Sequence, residues 1–112
     1  MKNRTKIEIR KLLKEQVLVL DGAMGTAIQD AGLSPSDFGG LQYEGCNEYL
    51  NITRPDLIMD IHRAYLEIGV DIVETNSFGS TPLVLAEYGL EDIALEINQA
   101  SARIAREVVD EL

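Results

Sequence analysis

Two short polar stretches carry residue types that could hold a small ligand. The first, "DGAMGT", begins at Asp21 after the apolar run of residues 17–20, and the second, "ETNSF", begins at Glu74 after Ile72 and Val73. Glycines let backbone N–H groups approach a ligand closely, and polar side chains add further donors and acceptors. Such turns suit a small anion such as the carboxylate of an amino acid. The residue types therefore indicate a small polar ligand.

Each stretch also has an ordinary structural interpretation. Asp-Gly after a strand is common turn chemistry. Two of the four polar residues that begin at Glu74 could instead cap a following helix. The glycine patterns that bind phosphate, G-x-x-x-x-G-K-[ST] and G-x-G-x-x-G, do not occur in the sequence. At this point ligand contact and simple turn formation are both open.

The other residues capable of chemistry are isolated along the sequence. His62 lies off the apolar stripe of its predicted helix, so a packing or surface position is favoured over catalysis. Cys46 is the only cysteine, which excludes an internal disulfide framework and favours a free thiol over a nucleophile or metal ligand. No catalytic residue and no metal ligand is therefore assigned within the chain.

Composition narrows the class of protein. The 112 residues are 46% apolar and carry a net charge of −9, with basic residues concentrated near the start. An acidic body argues against nucleic-acid binding, which needs concentrated positive charge. No apolar run approaches the ~20 residues that span a bilayer, and the basic start lacks the apolar core of a signal peptide. We expect a cytoplasmic globular protein with no membrane or nucleic-acid partner.

The apolar pattern predicts the elements that must position these residues. Residues 17–20 and 70–73 are typical of short strands buried in a parallel sheet. An amphipathic helix is predicted over residues 5–15, with Thr5 and Glu8 at capping-box spacing. A helix is predicted over residues 55–68, with Thr53 as N-cap, Pro55 in the first turn and Gly69 closing the helix. Ser80 or Thr81, with Pro82, starts a short helix that Gly89 closes, and a last helix follows a stripe of Ile93, Ile97, Ala100, Ile104 and Val108. Residues 32–52 form a long loop of the kind that is more often functional than accidental.

Strands alternating with helices indicate an α/β fold with a parallel sheet. In such folds ligands bind at the carboxyl ends of the strands, so both polar stretches should meet at one edge. Two strands cannot cover their own edges or bury the apolar helix faces. We therefore expect either the first part of a larger structure or a protomer completed by partners.

Four segments together resemble the homocysteine S-methyltransferase family. They are "LDGAMGT", "GCNEYLNITRPDLI", "IHRAYLEIGVDIVETNSFGST" and "LAEYGLED", and the likeness runs from residue 17 to about residue 108. The resemblance implies a (β/α)8 TIM barrel, of which this chain would supply an N-terminal helix and the first two βα units. On that basis residues 1–112 are predicted to be a partial homocysteine-binding domain that ends before the third strand.

The resemblance also implies a substrate and a site. Asp21, Gly22 and Ala23 match the first-strand motif that holds the amino-acid end of homocysteine, and Thr75, Asn76, Ser77 and Phe78 match the second-strand motif that lines the same pocket. In the family, zinc on three cysteine thiolates activates the homocysteine sulfur, which takes a methyl group from methylcobalamin, methyltetrahydrofolate or another donor to give methionine. Nothing in this chain matches the zinc cysteines, so neither zinc nor catalytic competence is expected of this chain alone. The resemblance places the cobalamin and folate sites on other modules, so cobalamin is not expected on this chain either.

Two functional hypotheses follow. The first is the homocysteine-binding segment of a methyltransferase, with the rest of the barrel and downstream folate and cobalamin modules as partners. The second is a non-enzymatic interaction module, a barrel fragment that self-associates through exposed barrel edges or docks onto another subunit.

Overall fold

A computed structural model describes residues 6–112, and helices and turns account for the regular structure in that range. Its α helices are α1 (Lys6–Glu15), α2 (Met24–Asp30), α3 (Leu50–Thr53), α4 (Pro55–Ile68), α5 (Pro82–Leu85) and α6 (Ala94–Glu111). Short 3-10 turns lie at Pro35–Phe38, Leu41–Tyr43, Asn47–Tyr49, Ala86–Tyr88 and Glu91–Ile93. Among these described helices, none is long and apolar enough to cross a membrane.

Local sequence signals account for the ends of α4. Pro55 occupies the first turn, where its missing N–H has no helical partner to lose. Gly69 ends the helix in the left-handed region with φ of 110°, a conformation that costs a residue with a Cβ far more than glycine. The predicted N-cap is wrong, because Thr53 ends α3 and its hydroxyl donates to the Tyr49 carbonyl.

The other predicted helices agree with the structure in most details. The α5 segment begins after Thr81, whose hydroxyl accepts from the Val84 N–H at 3.3 Å, and the turn that follows it ends at Gly89. The predicted apolar stripe of α6 is buried, except that Ile93 lies half-buried in the turn before the helix. The capping residue proposed for α1, Thr5, lies outside the described residues.

Helices α4 and α6 pack against each other and form the centre of the molecule. A first apolar cluster joins them to α2 and α3 and contains Ile28, Phe38, Leu50, Ile58, Ile61 and Ile104. A second cluster lies towards α5 and contains Cys46, Leu85, Leu90, Ala94 and Ile97. Arg63 of α4 also pairs with Glu111 of α6 through two hydrogen bonds of 2.8 Å.

The prediction that the chain forms two βα units of a TIM barrel is wrong for residues 6–112. No strand forms in that range, and residues 17–20 and 70–73 meet only in a single parallel bridge between Leu20 and Ile72. The Val19 carbonyl accepts from the N–H groups of Asp71 and Ile72, and the Ile72 carbonyl accepts from Asp21 N–H at 3.0 Å. The predicted neighbours are adjacent, but they do not form a sheet.

Lack of burial explains why the bridge does not extend. The Val17 and Val19 side chains are 86% and 51% exposed, and Leu20 is 53% exposed. With so little apolar surface removed from water, ordering two extended segments gains almost no hydrophobic free energy. The Asp71 carboxylate also accepts a hydrogen bond from the Val19 N–H at 2.9 Å. In a sheet, that N–H would donate to a carbonyl of a neighbouring strand.

Two helices were missed by the sequence interpretation. Residues 24–30, assigned to no element, form α2, and the end of the long predicted loop forms α3. Met24, Ala27 and Ile28 have the i, i+3, i+4 spacing of a helix face and pack on the first cluster. The remainder of residues 32–52 is organised by 3-10 turns and by an edge-to-face contact of Tyr43 with Tyr49 at 5.0 Å.

Candidate functional site

One cleft of about 330 Å³ gathers every residue that the sequence assigned to substrate binding. Its lining includes Asp21, Gly22, Ala23, Thr75, Asn76, Ser77 and Phe78. The bridge between Leu20 and Ile72 ends where both polar stretches begin, so it brings the two stretches together. The predicted proximity of the two stretches is therefore confirmed, whereas their contact with a ligand stays a prediction.

Asp21 connects the two polar stretches directly. Both of its carboxylate oxygens accept from the Glu74 N–H at 3.2 Å. Two residues further along the chain, the Ala23 carbonyl accepts a hydrogen bond from the Tyr65 hydroxyl of α4 at 3.3 Å. A Cβ at Gly22 would come within 2.8 Å of the Tyr65 hydroxyl oxygen. A side chain at position 22 would therefore force the tyrosine to shift.

The second polar stretch presents hydroxyl groups to the cleft. The Thr75 and Ser77 hydroxyl oxygens are 2.6 Å apart, and the Ser77 N–H donates to the Thr75 carbonyl at 3.0 Å. Whichever hydroxyl donates to the other, the accepting hydroxyl keeps its own hydrogen for a ligand. Phe78 lies at the rim and is fully exposed.

Asn76 is held in place by hydrogen bonds to Asn47 and Asn51. Its side-chain nitrogen donates to the Asn47 carbonyl at 2.9 Å and to the Asn51 side-chain oxygen at 3.3 Å. In return the Asn51 side-chain nitrogen donates to the Asn76 carbonyl at 2.8 Å. The amide hydrogens of Asn76 are thus used within the protein, and its part in the cleft is to hold the turn.

Sequence interpretation missed two lining residues in the long loop, Asn47 and Glu48. The Glu48 carboxylate accepts from the Gly79 N–H at 3.2 Å, so it ties the loop to the second polar stretch. The unusual length and glycine content of residues 32–52 had marked the loop as functional, but periodicity could not indicate which of its side chains face the cleft.

The electrostatic character of the cleft is acidic. Asp21, Glu48 and Glu74 line it, and no Lys, Arg or His does so among the described residues. Carboxylates attract an ammonium group and repel an isolated anion. The arrangement therefore suits a zwitterion, with its ammonium group near the carboxylates and its own carboxylate near hydroxyl and N–H donors.

His62 lies outside this cleft. Its side chain is completely buried on α4, and neither ring nitrogen has a hydrogen-bond partner among the described residues. Burial lowers the pKa of the imidazole, although the Asp21 charge opposes this shift. The histidine is therefore neutral and packed at pH 7, which agrees with the packing alternative predicted for it.

The described side chains do not fit a zinc site. Within residues 6–112, no group of three or more His, Cys, Asp or Glu side chains lies close enough to hold a metal ion. Cys46 is 1% exposed within the second apolar cluster, and burial raises the pKa of its thiol. A cysteine that binds zinc must instead be a thiolate.

Comparison with known proteins identifies the family. The family model described as homocysteine S-methyltransferase matches residues 18–112. The chain belongs to the homocysteine S-methyltransferase family. The methionine synthase of Mycobacterium leprae (strain TN), a related protein, is 50% identical to it over 105 residues, or 94% of this chain. The chain spans about 8% of the length of that curated relative.

Membership of the homocysteine S-methyltransferase family confirms the resemblance found in the sequence. The family match includes both polar stretches and the loop between them. All three contribute side chains to the cleft. The cleft is therefore made from the part of the chain that carries the family likeness.

Proposed function

We propose that this chain is the homocysteine-binding segment of a methyltransferase that converts homocysteine to methionine. The proposal rests on one observation: all seven residues assigned to homocysteine binding line the same cleft. Family membership supports the substrate, because it associates this chain with homocysteine methyl transfer. The same proposal includes methylcobalamin or methyltetrahydrofolate as the methyl donor of the complete enzyme.

The acidic lining favours one orientation of the substrate. The homocysteine ammonium group lies near Asp21 and Glu74, where the carboxylates compensate its charge. Its carboxylate accepts a hydrogen bond from the free hydroxyl hydrogen of the Thr75–Ser77 pair. The thiol-bearing arm then points out of the cleft, past the exposed Phe78 ring at its rim.

In the proposed reaction these residues bind the substrate and take no part in the bond changes. The homocysteine thiolate uses a sulfur lone pair to form the new S–CH3 bond, and the donor leaves with the electrons of the bond that breaks. Zinc, where a family member holds it, supplies a lowered thiol pKa. The described residues instead bind the amino-acid end, which brings a bimolecular reaction closer to a unimolecular one.

Titration of the chain with L-homocysteine, followed by 15N NMR under reducing conditions, tests the proposal. We expect chemical-shift changes at residues 21–25 and 74–78, weaker binding by the Asp21→Asn variant, and unchanged binding by Asp110→Asn. Asp110 is a matched control because it is exposed on α6 and pairs only with Arg106 in the described contacts. We also expect 4-mercaptobutyrate, which lacks the ammonium group, to bind more weakly. Absence of binding, or shifts confined to other residues, would contradict the proposal.

A second candidate function is self-association, which a separate surface favours. An apolar groove of about 400 Å³ lies along α4 and is lined by Ala27, Asp60, Ile61, Ala64, Tyr65 and Ile68. Ile68 is 80% exposed there. A second copy of this chain would bury that groove, and apolar area removed from water stabilises association. Sedimentation velocity over a range of concentrations tests this candidate, and a strictly monomeric chain would exclude it.

A further inference from the structure

We propose that Asn51 is a positioning residue, which orients the second polar stretch for its ligand without touching that ligand. The inference rests on the proposed homocysteine function and adds a residue that the family motifs did not assign. Asn51 does not line the cleft, and its side chain is 2% exposed. Its effect on binding must therefore pass through Asn76.

The contacts between the two asparagines are reciprocal. Asn51 donates to the Asn76 carbonyl at 2.8 Å and accepts from the Asn76 side-chain amide at 3.3 Å. Asn76 stands between Thr75 and Ser77, which both line the cleft and whose hydroxyls contact each other. Two hydrogen bonds to the middle residue therefore set both the position and the rotation of the turn that carries the hydroxyls.

The other side of Asn51 is anchored in the core. It belongs to α3, which packs against both α4 and α6. Its neighbour Leu50 is completely buried in the first apolar cluster. A side chain held by this framework can fix the turn, whereas the bridge residues Leu20 and Ile72, which precede the two polar stretches, are themselves exposed.

Loss of the Asn51 amide would leave a buried carbonyl without its donor. A buried polar group that loses its partner is costly, so the turn would rotate to bring the Asn76 carbonyl to water. That rotation would separate the Thr75 and Ser77 hydroxyls from the ligand. The first polar stretch is held separately, by Tyr65 at the Ala23 carbonyl and by the Asp21 N–H at the Ile72 carbonyl, so it would keep its place.

The test compares Asn51→Asp with Asn98→Asp in the whole chain. Asn98 is the control for loss of a donating amide, because its side chain also donates to two carbonyls, those of Ser80 and Ala94, at 2.8 and 2.9 Å. Asn98 is exposed whereas Asn51 is buried, so Asn51→Ala, which adds no charge, is measured beside Asn51→Asp. We expect Asn51→Asp to weaken homocysteine binding about tenfold at equal folded fraction, as expected for one lost hydrogen bond. The backbone N–H signals of Thr75 and Ser77 should shift before any ligand is added, whereas those of residues 21–24 should not.

The Asn98→Asp variant should lose stability in urea but keep its homocysteine affinity. If Asn51→Asp does not fold, Asn51→Ala removes the same donor and serves as the test by itself. Equal affinity of the Asn51 variant and the wild type would overturn the positioning role while leaving the proposed function intact. Absence of homocysteine binding by the wild type would instead overturn the proposed function, and the positioning role with it.

Discussion

At the scale of single residues, Gly22 has a closer neighbour than Gly25, the other glycine that lines the cleft. The tyrosine hydroxyl supports the first polar stretch through the Ala23 carbonyl, and it occupies the space where a Cβ at position 22 would lie. A rigid aromatic ring has few ways to move aside. A side chain at position 22 should therefore displace the turn that holds Asp21.

We expect Gly22→Ala to lower the free energy of unfolding by about 1–3 kcal/mol, as overpacking does in other proteins. The same substitution should cost less in a Tyr65→Phe background, because the hydroxyl oxygen 2.8 Å from the new Cβ is then absent. Urea denaturation of the four variants of this double-mutant cycle measures the difference. Gly25→Ala is the control, since its nearest neighbour is 3.9 Å away. An equal cost in both backgrounds would rule out the steric explanation.

The buried imidazole of His62 gives the chain a pH-dependent stability. Burial lowers its pKa in the folded state below the ordinary value of 6.5. Below that pH the unfolded chain binds a proton that the folded chain does not, so stability falls as the solution is acidified. We expect the free energy of unfolding to decrease from pH 7 to pH 5, and His62→Leu to flatten that decrease.

Urea denaturation at several pH values measures this effect. Asp37, Asp56 and Glu111 have pKa values lowered by hydrogen bonds and ion pairs, so their loss of stability begins below this window, near pH 4. A pH profile that is equally steep in the wild type and in His62→Leu would assign the dependence to other groups.

At the scale of elements, the packing of α4 on α6 holds the cleft in place. Both turns of the cleft are connected to this pair, one through Tyr65 of α4 and the other through the Asn51 contact to α3. Ile104 of α6 is 3% exposed and lies in the same cluster as Ile58 and Ile61 of α4.

We expect Ile104→Ala to lower the free energy of unfolding by about 2–5 kcal/mol, because it leaves a cavity between the two helices. Leu95→Ala on the same helix is the control, since Leu95 is 72% exposed. Thermal and urea unfolding followed by circular dichroism measures both variants. Similar losses of stability in the two variants would show that the packing of α4 on α6 contributes little to the free energy of unfolding.

Sequence interpretation succeeded for the elements whose signals are local. Pro55, Gly69, Thr81 and Gly89 mark helix ends through their own backbone preferences, and the stripe of α6 marks its buried face. It failed for the strands, because an extended segment also needs its apolar side chains to be buried, and local sequence does not supply the residues that bury them. The short helix α2 was missed since its seven residues offered too few turns for a clear period.

At the scale of the whole molecule, much apolar surface stays exposed. The radius of gyration is 15.2 Å, against about 13 Å expected for a compact domain of this length. Val17, Ile68 and Phe78 are among the most exposed apolar side chains. Such surface favours association, whereas a net charge of −9 on each copy opposes it.

We expect salt to strengthen self-association, because a Debye length of about 10 Å at 0.1 M falls to about 3 Å at 1 M. Sedimentation velocity at low and high NaCl should show a larger dimer fraction at high salt. Ile68→Glu should reduce that fraction at both concentrations, since it places a charge in the apolar groove. A dimer fraction that changes neither with salt nor with the Ile68→Glu substitution would show that this groove is not the dimer interface.

The sequence by itself determined the family, the ends of several helices and the seven residues that meet in the cleft. These are encoded in motifs and in local backbone preferences that need no distant partner. Tertiary structure alone decided that the two apolar runs meet in one bridge, that Glu48 joins the cleft and that Asn51 holds Asn76 from behind. Each of these depends on burial and hydrogen bonding between residues that the chain brings together only when it packs.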